Sequence, residues 1–122
     1  ALLLAGMINI RRGGSCGRGV GRARGRGGAG ASVLLLGRNE DRRHEGLASL
    51  FGSGHSVVAC DLADAGQSRP RLQAALAEFS GITGLVHAAG LRLIEPIRFF
   101  KEETLLTTMS VNVNAAYMPL QL

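Results

Sequence analysis

Aromatic side chains make up only 4% of this 122-residue sequence, and tryptophan is absent. Any core it builds has to be aliphatic. Lysine is nearly missing too: Lys101 is the only one, so no Gly-rich turn here can be a Walker A loop, whose lysine must follow its glycines directly. The two cysteines, Cys16 and Cys60, have neither metal-ligand spacing nor a disulfide framework around them, and reduced thiols of a cytoplasmic protein are expected. His87 has no second histidine at ligand spacing, which argues against a metal site. No apolar run reaches the roughly 20 residues of a membrane-spanning helix. The opening "ALLLAGMINI" lacks a basic flank before it, so neither a targeting signal nor a membrane partner is expected.

Apolar residues are plentiful at 46%, enough for one globular domain. The net charge of +5 is unevenly distributed. Six of the thirteen arginines (11, 12, 18, 22, 24 and 26) fall within sixteen residues, and beyond residue 30 the two signs nearly balance. The basic character therefore describes one segment, not the surface of the fold.

Three short apolar runs, "SVLLLG" (32–37), "SVVACD" (56–61) and "ITGLVHAAG" (82–90), start 24 and 26 residues apart, as strand–helix–strand units require. Their continuity is that of strands covered on both faces. The gaps carry helical patterns. After Asn39, a candidate N-cap, Leu47, Leu50 and Phe51 share a face. A second helix opens at Ser68 and aligns Leu72, Ala75, Leu76 and Phe79. A third runs from about Lys101 with Leu105, Met109, Ala116 and Leu120 along a stripe. Asn112 falls on that stripe, where a buried amide must be hydrogen-bonded or costs about 1–3 kcal/mol. The pattern predicts an open α/β sheet of parallel strands.

Nine glycines crowd residues 11 to 30 and admit two readings. In an open α/β sheet the first strand–helix turn holds phosphate, because glycines let backbone N–H groups approach it. Gly13, Gly17 and Gly19 form G-x-x-x-G-x-G between a weak strand, "MINI" (7–10), and the strand at 32. Alternatively, the segment is a Gly/Arg-rich module that binds RNA or another polyanion, with steep salt dependence. The absence of interleaved aromatics weighs against that second reading.

Taken in order, these features resemble the short-chain dehydrogenase/reductase family across nearly the whole chain. "GGSCGRG" (13–19) is similar to its glycine motif, with Gly13, Ser15, Gly17 and Gly19 at the cofactor phosphates. In "GRN", Arg38 and Asn39 follow the second strand where NADP-preferring members place an arginine for the 2′-phosphate. Gly37 before them leaves no acidic side chain to favour NAD. "CDL" (60–62) looks like the family's adenine-contacting pair, Asp61 and Leu62. "HAAG" (87–90) resembles its Asn-Asn-Ala-Gly, with Ala88, Ala89 and Gly90 against the nicotinamide ribose. "SVNVNAAY" (110–117) is similar to the segment carrying the catalytic asparagine, here Asn112, which in the family holds a proton-relaying water; a purely structural asparagine is the alternative.

The resemblance implies a Rossmann-like doubly wound parallel sheet of about four strands, 1–122 forming part of an NAD(P)-binding domain. Within it 7–30 is a degenerate turn and helix, and 31–122 are well-matched βα units. NADP is the implied cofactor, with NAD less favoured. A small carbonyl or alcohol is the implied substrate, and a homodimer or homotetramer the implied assembly of the intact enzyme. A regulatory or scaffolding relative of such a reductase is a further alternative.

Two departures stand out. Gly21, Gly25, Gly27 and Gly28 would each cost a helix about 1 kcal/mol relative to alanine. The Gly/Arg/Ala composition of about 8–29, with its abrupt return to an apolar strand, is what a shifted reading frame in GC-rich coding sequence yields. Neither Tyr117 nor Lys101 belongs to a Tyr-x-x-x-Lys motif, and the serine that accompanies it is missing. An amino-terminal half without catalytic activity is therefore expected.

Overall fold

The computed structural model describes residues 2–6, 32–79 and 82–122. Among these described residues, four strands, β1 (Leu2–Gly6), β2 (Ser32–Gly37), β3 (Ser56–Ala59) and β4 (Gly84–His87), form one wholly parallel sheet in the order β3-β2-β1-β4. Between them lie α1 (Glu40–Ala48) and α2 (Ala65–Leu76). After β4 come a 3-10 turn (Ile97–Phe99), α3 (Glu102–Met109), a π-helical segment (Ser110–Asn114) and α4 (Ala115–Leu120). This is the open α/β sheet of parallel strands that the spacing predicts, in the incomplete, doubly wound, Rossmann-like form that the resemblance implies.

Burial explains the uninterrupted apolar strands. Val33, Leu34, Leu35 and Leu36 are all essentially inaccessible, so both faces of β2 are covered. Side chains alternate along a strand. Leu34 and Leu36 therefore share a face with Val58 and Leu85, where Leu62, Leu72, Val111, Ala115 and Met118 complete the core. Val33 and Leu35 occupy the opposite face.

Several sequence expectations shift. The strand in first position is Leu2–Gly6; "MINI" lies outside the described residues, as do Gly13, Ser15, Gly17, Gly19 and the rest of 7–31. The second helix starts at Ala65, not Ser68. Asp64 caps it, its carboxylate accepting from the Gln67 N–H at 3.1 Å. Ser68 is instead buried inside the helix, donating from Oγ to the Asp61 carbonyl at 2.6 Å. Phe51 lies beyond α1 and is exposed.

The connection from α1 to β3 is held by His55. Its Nδ1 accepts from the Val33 N–H at 3.1 Å, and its Nε2–H donates to the Phe51 carbonyl at 2.9 Å. Register places Ser56 opposite Leu34, so the imidazole continues the ladder one step beyond β3. Gly52 and Gly54 both have positive φ here, at 98° and 76°. A Cβ on Gly54 would also sit 2.9 Å from Ser32 Oγ. Gly54→Ala should therefore lower stability by about 1–2 kcal/mol, read as a lower urea midpoint at unchanged slope.

Candidate cofactor site

All four strands run the same way, so their carboxyl ends form one rim. The chain builds outward from β1 through β2 to β3, then returns across the sheet to place β4 on the other side of β1. Such a reversal opens a crevice at the rim, the usual ligand position in open α/β sheets. Gly6 and His87 are paired in register beside it.

Three segments leave the rim there. After β2 come Arg38 and Asn39, both exposed, and α1 begins at the next residue. The β2–β3 ladder extends one bond past the strands, from the Cys60 N–H to the Gly37 carbonyl, at 3.2 Å. Asp61 then turns the chain. Its Oδ1 accepts from the Ala63 N–H at 3.0 Å, and its carbonyl takes both the Ser68 hydroxyl and the Asp64 N–H. Leu62 is buried in the core, which fixes the turn from below. Arg71, from α2, donates to the Ala59 carbonyl at 3.2 Å and so occupies a backbone acceptor at the end of β3. Arg38 Nη1 lies 3.7 Å from Asp61 Oδ2, bringing together two residues singled out from different strands.

Beyond β4, Ala88 and Gly90 are partly buried and Ala89 is buried against the core. Among the described residues, a Cβ at Gly90 would meet only Asn112 Oδ1, at an ordinary 3.7 Å. Packing among the described residues does not require glycine there.

Asn112 corrects the expectation of a buried amide on an apolar stripe. It is exposed, and so are Leu105, Met109 and Leu120, while the buried line runs through Val111, Ala115 and Met118. Its amide is nonetheless satisfied. Oδ1 accepts from the Leu91 N–H at 2.7 Å, and Nδ2 donates to the Leu91 carbonyl at 2.9 Å. The π-helical segment carries Asn112, and such turns are frequent at functional sites. The clamp thus ties the long helix to the loop leaving β4. Leu91 escaped the sequence reading because it acts through its backbone.

His87, which has no second histidine at ligand spacing, has another distinction in the structure. Its Nε2 is buried and has no hydrogen-bond partner among the described residues. An orphaned polar atom beside the crevice, a glycine that packing does not require and a guanidinium at the end of β2 all fit a polar, phosphate-bearing ligand at the rim. Among the described residues no helix is long and apolar enough to cross a membrane.

The model of the short chain dehydrogenase family matches residues 10–122. Among solved structures, the L-sorbose reductase of Gluconobacter frateurii, complexed with NADPH and L-sorbose, is 28% identical with a TM-score of 0.84, covering 98% of this chain and 44% of that one. A metagenomic short-chain oxidoreductase in complex with NADP is 25% identical at a TM-score of 0.77, over 98% and 53%. A Serratia marcescens short-chain dehydrogenase/reductase mutant shares the fold at 21% identity and a TM-score of 0.83, over 98% and 48%. No curated protein matches. The chain spans about half the length of these solved relatives, and β1 precedes the stretch that the family model matches. On that match and this sheet, the chain belongs to the short-chain dehydrogenase family.

Proposed function

We propose that this chain is the cofactor-binding half of an NADP-dependent short-chain reductase acting on a small carbonyl or alcohol. The observation carrying the cofactor preference is Arg38, exposed at the carboxyl end of β2 with Gly37 before it. A guanidinium offers a planar fork of donors suited to a 2′-phosphate, and the residue that ends β2 is Gly37 and not an acidic one that would accept from ribose hydroxyls. Asp61 and Leu62 would hold the adenine, and Ala88, Ala89 and Gly90 would line the nicotinamide ribose. Gly13, Ser15, Gly17 and Gly19 would supply donors to the phosphates. Bound nicotinamide supplies or accepts the hydride exchanged with the substrate carbon.

Asn112 positions the loop after β4 through Leu91, and in the intact enzyme it would hold the proton-relaying water that the family resemblance implies. The sequence contains no Tyr-x-x-x-Lys, so binding without turnover is the behaviour proposed for these 122 residues. Leu105, Leu106, Met109, Tyr117 and Leu120 leave an exposed apolar face along the long helix, which supports pairing of subunits, as a dimer or tetramer, in the intact enzyme.

Trypsin digestion of the chain with NADP, with NAD and in buffer tests the reading. NADP should slow cleavage at lower concentrations than NAD. Equal rates in all three would remove the proposal.

A further inference from the structure

We propose that the Arg38–Asp61 ion pair is a latch that sets how strongly the site discriminates a 2′-phosphate: the phosphate gains Arg38 only by taking it from Asp61. The inference rests on the reading of this rim as a dinucleotide site and adds a role for Asp61 opposed to its adenine contact.

The two partners are unequally held. Asp61 is fixed by its turn, with Oδ1 on the Ala63 N–H, its carbonyl on Ser68 and Asp64, and Leu62 buried next to it. Arg38 ends a long, half-exposed side chain. The group that moves is therefore the guanidinium. At 3.7 Å, with both side chains about half exposed, the pair is weak and exchangeable. A single contact at that distance also leaves most of the five guanidinium donors to other acceptors, whereas a phosphate can engage two in parallel. A nucleotide with a free 2′-hydroxyl has no reason to open the pair. Asp61 thus weakens 2′-phosphorylated nucleotides selectively, and its neutralisation raises the preference for them.

The test titrates the 122-residue chain, Asp61→Asn, Arg38→Ala and the double variant with adenosine 2′,5′-bisphosphate and with 5′-AMP, by calorimetry. The affinity ratio of the two ligands cancels any change in the adenine contact they share. Asparagine keeps an Oδ1 for the Ala63 N–H; Asp61→Ser, which also offers an oxygen there, repeats the measurement should that variant fail to fold. The ratio is expected to rise about two- to fivefold in Asp61→Asn, the size of one exposed pair. Without Arg38 the rise should shrink to whatever bare charge repulsion contributes. An unchanged or lower ratio, or an equal rise without Arg38, overturns the latch while leaving the nucleotide site standing. If neither ligand binds the parent chain, the nucleotide reading fails and the latch with it.

Discussion

Leu72→Ala is expected to destabilise the chain by about 2–5 kcal/mol, the range for emptying a fully enclosed leucine site. Leu72 is inaccessible, and from α2 it reaches the cluster formed by Leu34, Leu36, Val58, Leu62, Val111 and Met118. It therefore joins the sheet face to the long helix, and collapse into the cavity would have to move both. Whole domains are stable by only about 5–15 kcal/mol, and this one leaves many large apolar side chains exposed. A loss of this size should bring the urea transition close to zero denaturant. Leu72→Met, which nearly conserves volume, should cost less than about 1.5 kcal/mol. Equal losses for the two variants would mean that leucine shape, not enclosure, dominates the site.

Three of the strands were legible because β2, β3 and β4 fall inside continuous apolar runs, which in β2 reflect burial on both faces; the first was not, since it lies at Leu2–Gly6 and not at "MINI". The helices were less so, for reasons that differ. Ser68 and Asp64 are both residue types that cap well, and the sequence alone does not choose between them. Tertiary contact decides between them, since the Ser68 hydroxyl is drawn to the Asp61 carbonyl and Asp64 is left to cap. On the long helix, periodicity pointed to Leu105, Met109, Ala116 and Leu120, but the sheet receives Val111, Ala115 and Met118. Hydrophobic periodicity marks the core face only when the other face is polar. Here the outward face is apolar too, and the inward one includes the half-buried Thr104 and Thr108.

Of the candidate site, sequence offered residue types more than contacts, and Gly13, Ser15, Gly17 and Gly19 lie outside the described residues. Arg38, Asp61, Ala88 to Gly90 and Asn112 all lie at the rim or are tied to a loop that leaves it. Pairing between Arg38 and Asp61, and between Asn112 and the Leu91 backbone, joins positions 23 and 21 residues apart, which no local pattern encodes.

Asn112→Leu should release the loop after β4. Two hydrogen bonds to one residue's backbone are lost together, at about 0.5–1.5 kcal/mol each. A deficit of about 1–3 kcal/mol would raise the opening constant of the Leu91 amide by roughly 5- to 150-fold. Hydrogen exchange at Leu91 reads this directly, whereas amides of β2 should change only as far as global stability does. Asn112→Asp sharpens the argument. Aspartate keeps an acceptor for the Leu91 N–H, but its second oxygen would face the Leu91 carbonyl across 2.9 Å with no proton between them. It should therefore fail to rescue, and exchange at Leu91 should resemble that of the leucine variant. If aspartate restores protection, the N–H bond alone holds the loop and the amide donor is dispensable. The distinction bears on function, because Leu91 directly follows Gly90. A loop released at Leu91 loosens the Ala88–Gly90 backbone proposed to lie against the nicotinamide ribose, and NADP affinity should fall in both variants together.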